Sequence, residues 1–309
     1  MMRDFAGPCG QEAVAPLRPG LEDGAQMTHQ GYKRFQRRRN RRQDPLEEYA
    51  RTHAHPTDAA AETASAAALP APLPEPWDLL RRVPIGIRKH QEARSPLVNF
   101  YREDPAAKAF DLLRTRLLHT LKLRGWKRVA VSAPLGGCGT TFTAVNLALS
   151  LARVPGSRTI LMDMNHRNPG VAEALKMEPS SQSADFLEGA AVMEDYLIRP
   201  AETLALGLAG APGRNPAEVI HGPMCGQVLD DMVLRSGAGT VIYDLPPVLE
   251  YDDLAAFLPQ VDGVLLVSDG TRNTAAHLEA CEKMLAGHCE LLGVVLNRAR
   301  DAKGALFGR

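Results

Sequence analysis

From Asp104 onward, the hydrophobic positions follow two rhythms in turn. The stretch D-P-A-A-K-A-F-D-L-L-R-T-R-L-L-H-T-L-K-L, Asp104 to Leu123, carries Phe110, Leu113, Leu117 and Leu121 at helical spacing. Such a stripe is the buried face of an amphipathic helix. Pro105 suits its first turn, and Gly125 ends it. Short continuous apolar runs then take over: around Val129 and Val131, Arg158 to Asp163, Leu204 to Ala209, Thr240 to Asp244, Gly263 to Val267, and Leu291 to Leu296. Helical patterns lie between them, from Thr141 toward Pro155, over Pro169 to Met177, and over Thr274 to Ala286. N-P-A-E-V-I at Asn215 opens another helix, with Asn as cap and Pro at the first position. Ser180 to Leu197 reads as irregular helix and loop. Continuous apolar strands alternating with helices predict a parallel α/β sheet of about seven strands, covered by helices on both faces.

The rhythm is absent upstream. Met1 to Asp44 is polar, Lys33 to Arg42 packs seven basic residues into ten positions, and Ala59 to Pro76 is rich in Ala and Pro. That composition has little to bury, so residues 1–75 are expected to form a disordered tail, first basic and then Ala/Pro-rich. Residues 76–103, including W-D-L-L-R-R-V-P-I, read as a docking or linker segment rather than a core element. The folded domain is expected over 104–300, with a short tail over 301–309. Lys plus Arg and Asp plus Glu are equal at 36 each, so whole-chain charge selects no class of partner. The basic run suits anionic lipid better than a specific nucleic-acid contact. Five cysteines show no paired metal spacing, as expected of a reduced cytosolic chain. No apolar run reaches membrane-spanning length, and no secretory leader is expected.

The most informative stretch is V-A-V-S-A-P-L-G-G-C-G-T-T-F-T, beginning at Val129. It reads as strand, glycine turn and helix. Gly136, Gly137 and Gly139 allow the backbone to turn tightly and approach a ligand, while the helix start offers free N–H groups to an anion. The phosphate-loop pattern ends G-K-[ST]. Here Gly139 and Thr141 match, Pro134 stands at the first glycine position, and Thr140 stands at the lysine. Gly136, Gly137, Cys138, Gly139, Thr140, Thr141 and Phe142 are therefore candidate nucleotide contacts, for ATP or ADP. Asp163 and Asp244 each end a predicted strand, where ligands of such sheets bind. With the Thr141 hydroxyl they form a candidate Mg²⁺ set, and they are the candidate catalytic carboxylates. Asn297 ends the last strand at the same edge.

From about Pro105 to Arg298 the chain resembles the bacterial tyrosine kinases (BY-kinases) of capsule and exopolysaccharide synthesis, the CpsD/CapB type, within the ParA/MinD P-loop superfamily. A-F-D-L-L-R-T-R-L resembles that family's E-A-F-R-x-L-R-T-N helix. G-G-C-G-T-T followed by A-V-N-L-A resembles its Walker A loop and helix. L-M-D-M-N-H-R-N-P resembles D-x-D-x-R-x-P, with Asn165 in place of the second Asp. N-P-A-E-V-I resembles N-P-x-E-L-L, and I-Y-D-L-P-P-V-L resembles the Walker B motif, with Asp253 at a following Asp. G-V-V-L-N-R resembles the strand whose Asn, here Asn297, contacts the base. The resemblance implies a P-loop NTPase-like fold and a cytoplasmic tyrosine autokinase. It also implies a membrane polysaccharide co-polymerase or chain-length regulator as partner, placing the chain peripherally at the inner membrane.

The departures fall on the chemistry. Thr140 removes the phosphate-loop cation and Asn165 a carboxylate. Lys108 and Asp111 replace the Glu and first Arg of the ring-forming helix, leaving Arg114, so a homo-oligomeric ring is expected to be weak or absent. No Tyr follows Tyr251, so the phosphate-accepting tyrosine cluster is missing. Leu135 lacks the extra lysine of the partition ATPases, which favours the polysaccharide branch. The expected function is a regulatory, nucleotide-binding relative with little catalysis. The alternative is an active kinase or ATPase with a substitute cation such as Arg167 or a residue of a neighbouring chain. A ParA/MinD-like positioning ATPase using the basic tail on DNA ranks third.

Overall fold

The computed structural model describes residues 74–86, 97, 104–210 and 216–299. The readings made for residues 1–73, Asn215 and 301–309 lie outside the described residues. In chain order the elements are α1 (Pro76–Leu79), β1 (Arg81–Arg82), α2 (Pro105–Arg124), β2 (Arg128–Ser132), α3 (Thr140–Leu151), β3 (Thr159–Asp163) and α4 (Val171–Leu175). Next come α5 (Ser183–Leu187), α6 (Met193–Tyr196), β4 (Ile198–Ala201), β5 (Leu204–Gly207), α7 (Pro216–Ile220) and α8 (Cys225–Ser236). The series ends with β6 (Thr240–Asp244), α9 (Asp253–Phe257), a 3₁₀ turn, β7 (Gly263–Asp269), α10 (Ala275–Leu285) and β8 (Glu290–Asn297).

The strands form one eight-stranded sheet in the order β1-β4-β5-β3-β6-β2-β7-β8. Every pair is parallel except β4–β5. That pair is joined by only Glu202 and Thr203, and so short a connection permits only an antiparallel return. The predicted α/β sheet covered on both faces is therefore present, with eight strands rather than about seven. The sequence pattern misses β1 because Arg81 and Arg82 are both exposed, and β4 because it offers only Ile198 and Ala201 as apolar residues around Arg199 and Pro200.

Side chains alternate across the sheet, and each face has its own core. Ala130, Ile160, Met162, Val241, Tyr243, Val264 and Leu266 pack with residues of α1, α5, α6, α8, α9 and α10. Val129, Val131, Leu161, Ile242, Leu265 and Val267 pack with α2, α3 and α4. The α2 stripe behaves as its spacing predicts: Phe110, Leu117 and Leu121 are buried, with Leu113 packed against them. Asp104 caps the helix by accepting from Ala106 N at 2.7 Å, and Gly125 ends it at φ 69°.

One segment is placed differently from its sequence reading. Trp77 is not a peripheral docking residue; it is 2% exposed and belongs to the first core, with Leu80 beside it. Its indole N–H donates to the Glu202 carbonyl at 2.9 Å, and Arg158 lies over its ring. The segment is short and lacks a periodic stripe, so its burial is not written in any repeat. Its two-residue strand adds the edge to β4.

Candidate functional site

The site lies at the carboxyl ends of the central strands, where β2 runs into the glycine turn. Gly137 and Gly139 adopt φ of 76° and 90°, left-handed values that disfavour residues with a Cβ. Gly139 is constrained twice, because a Cβ there would meet Asn297 Nδ2 at 2.3 Å. It also precedes the first residue of α3, so the turn delivers N–H groups to a twelve-residue helix.

The turn is held from outside by its carbonyls. Arg272 Nη1 donates to Gly136 O at 3.0 Å, Arg298 Nη1 to Gly137 O at 2.9 Å, and Asn297 Nδ2 to Cys138 O at 2.9 Å. Three successive carbonyls are thus engaged by side chains that follow or end β7 and β8. Asp269, which ends β7, holds Arg298 Nη1 at 2.5 Å. Cys138 is buried, and its thiol donates to Asn273 Oδ1 at 3.2 Å. Of the candidate nucleotide contacts, Asn297 therefore supports the loop from behind. Phe142 packs its ring edge-on against Phe110 at 5.8 Å, a core role for its side chain. Thr140 begins α3, half-buried and uncharged.

On the other side of β2 the two strand-end carboxylates lie in register, Asp163 opposite Asp244. Both are fully buried. Thr141 Oγ1 donates to Asp244 Oδ2 at 2.6 Å, while Asp244 Oδ1 has no partner. Asp163 is already committed: its oxygens accept from Asn165 N, Gly170 N and Val171 N at 3.2, 3.0 and 3.0 Å. Burial pushes Asp163 up to about 6 against those N–H bonds. Burial, then repulsion from Asp163, raises Asp244 well above the carboxylate range, and the Thr141 hydroxyl opposes this.

This donor set fits a hard cation. Asp244 offers an unused oxygen, and Thr141 a hydroxyl beside it. Mg²⁺ is usually held by one or two carboxylates, with waters and substrate phosphates completing its shell. Among the described residues no cluster of three or more His, Cys, Asp or Glu could hold a metal alone, so phosphate would have to complete the site. Asp244 fits the Mg²⁺ role better than Asp163, whose oxygens shape the loop after β3. Asn165 serves that same loop, accepting from Asn168 N at 3.1 Å.

The substitute-cation reading of Arg167 meets a prior commitment. Its Nε donates to buried Asp253 at 2.7 Å, and its guanidinium lies over Tyr251, 4.4 Å from the ring centre. The arginines that do reach the glycine turn are Arg272 and Arg298, which the sequence reading did not single out. Each follows the end of a parallel strand at the edge that holds the turn, so the strand-end rule could have found them. The reading also missed Glu250, whose carboxylate accepts from Gly136 N at 2.8 Å. No spacing rule points to it.

No protein-family model matches the chain. It is 28% identical over 217 residues to the Ralstonia solanacearum protein named "Putative tyrosine-protein kinase EpsB", covering 67% of this chain and 28% of that one. It is 26% identical over 178 residues to the Rhizobium meliloti "Succinoglycan biosynthesis transport protein ExoP", covering 55% of this chain and 22% of that one. The chain thus spans less than a third of the length of these relatives. Among solved structures, the VpsO kinase domain superposes with a TM-score of 0.55 at 26% identity, covering 63% of this chain and 97% of that one.

Proposed function

We propose that this chain, on its likeness to the tyrosine-kinase relatives and to the VpsO kinase-domain fold, is a BY-kinase-like, nucleotide-binding regulatory protein of exopolysaccharide or capsule synthesis whose site has lost most of its turnover. It binds ADP or ATP with Mg²⁺ in the glycine cradle, works in the cytoplasm and acts through a membrane polysaccharide co-polymerase. One observation carries this reading. The Thr141 hydroxyl bonded to Asp244 at 2.6 Å, beside the glycine turn, supports a site for a Mg²⁺-bound phosphate, while the position that would bring the loop's own cation holds Thr140.

The energetic argument follows from what each part can do. Loop N–H groups and the helix start favour a bound phosphate whether or not it reacts. A cation aimed at charge that grows in the transition state lowers the barrier instead, and one such donor is worth on the order of 3 kcal/mol. Removing the cation while keeping the cradle therefore harms turnover more than affinity. Arg272 and Arg298 do not repair this, because the bonds that fix them run to the carbonyl side of the turn.

Calorimetric titration with Mg²⁺-ADP and Mg²⁺-ATP, paired with radiolabelled ATP, tests the proposal. Weak binding with hydrolysis and autophosphorylation at background is expected. Thr140→Lys should tighten ATP binding by about tenfold, the worth of one charge-assisted contact. Turnover at a kinase-like rate in the unmodified chain, unchanged by Thr140→Lys, would overturn the reading and favour the active enzyme.

A further inference from the structure

The glycine turn already has an anion on it. Glu250 follows β6 by six positions, in a turn tied backbone to backbone to the loop that leaves β2. Val248 N donates to Ala133 O at 2.8 Å, and Leu249 N to Pro134 O at 3.1 Å. These bonds deliver the Glu250 side chain to the cradle, where Oε1 accepts from Gly136 N at 2.8 Å. The carboxylate also covers the glycine itself: a Cβ on Gly136 would lie 3.1 Å from Glu250 Oε2. Gly136 N is the first of the turn's glycine amides. An amide that binds a carboxylate offers the same hydrogen to a phosphate oxygen, and one hydrogen cannot serve both fully.

Glu250 is solvent-exposed, so its contact with the loop is not imposed by burial. Its carboxylate can swing out to water only by giving up the Gly136 N bond, and while in place it adds negative charge beside any incoming phosphate. We propose that Glu250 is an affinity- and specificity-determining residue of the phosphate cradle. Its carboxylate competes with the phosphate chain for Gly136 N and disfavours the more highly charged nucleotide. The inference rests on the nucleotide-site reading above and adds a residue outside the glycine turn and the strand-end carboxylates.

The sign of the effect separates this role from a merely structural one. If Glu250 only braced the loop, removing its carboxylate would loosen the cradle and weaken phosphate binding. If it competes, the same change tightens binding. Full-length wild type, Glu250→Gln and Glu250→Ala are titrated calorimetrically with Mg²⁺-ADP and Mg²⁺-ATP, and their thermal midpoints are taken without nucleotide. Glu250→Ala should bind about tenfold more tightly, the worth of one charge-assisted hydrogen bond no longer contested, and Glu250→Gln, whose amide oxygen still accepts from Gly136 N without the charge, should gain part of that. The gain should be larger for ATP than for ADP, and binding that appears only in the variants also supports the proposal. If neither variant binds more tightly than wild type, the role of Glu250 is overturned and the nucleotide site is left standing. Silence from all three proteins with both nucleotides overturns the nucleotide reading, and this inference falls with it.

Discussion

Two carboxylates, Asp163 and Asp244, sit side by side, both buried away from bulk water. Burial of the pair, reinforced by mutual repulsion at Asp244, makes protonation easier in the folded chain than in the unfolded one, lifting Asp163 to about 6 from an ordinary 3.8. Between those values the native chain holds protons that the unfolded chain has released. Stability from Asp163 is thus fully present at the acid end of the window and is lost as pH rises through about 6, and the loss from Asp244 runs in the same direction. A carboxylate displaced by about two pH units carries on the order of 2–3 kcal/mol. Asp244→Asn should therefore stabilise the metal-free chain at neutral pH and flatten its own pH dependence, so that the stability difference, wild type minus variant, falls as pH rises. Urea midpoints measured from about pH 4.5 to about pH 7.5 check this. The same variant should weaken the Mg²⁺ dependence of nucleotide binding. A variant with the same pH slope as wild type would show that the pair is not the source. The two strand-end aspartates were legible in the sequence because each closes a buried apolar run. Their division of labour was not, since it depends on which oxygens the loop 165–171 consumes.

At the scale of elements, legibility followed burial of continuous patterns. The central strands and α2, α3 and α10 are each long enough to repeat their signal, and the structure places them within a few residues of the sequence reading. The edge α1–β1 is not, because one indole and one leucine carry its whole burial. That concentration makes a sharp prediction. Trp77→Ala should cost about 3–4 kcal/mol, the range for a large aromatic replaced in a packed core. The loss has two parts: the cavity, and the Glu202 carbonyl left without its indole donor at the turn between β4 and β5. Arg199, buried on β4 and paired with Asp78 at 2.8 Å, depends on the same corner. A fall in the thermal midpoint of roughly 10 °C is expected by scanning calorimetry. A change under about 2 °C would mean that α1 adds little to the core, in line with the docking-segment reading.

At the scale of the molecule, the question is whether this chain closes into rings through α2, as the resembling family does through the Glu and Arg residues of that helix. Here the helix charges are spent within the chain. Asp111 accepts from Ser150 Oγ at 2.7 Å and from Arg114 Nη1 at 3.2 Å, and it is ion-paired with Arg153. Arg114 Nη1 also donates to Ser150 O at 3.1 Å. These contacts join α2 to the end of α3, so a neighbouring molecule would have to displace an existing network to recruit either charge. An exposed ion pair is worth only about 0–1 kcal/mol, too little to recover that loss, whereas the half-buried network already in place has hydroxyl and carbonyl partners as well. Lys108, the remaining altered position, brings a positive charge where a ring would need a negative one. The chain should therefore run as a monomer or weak dimer in multi-angle light scattering at micromolar concentration. Asp111→Arg should free the α2 surface charge while costing stability, because Arg153 and Arg114 would then face a third cation. A stable octamer from the unmodified chain would overturn this argument, and its dissociation by Asp111→Arg would show that the network on α2 is itself the contact.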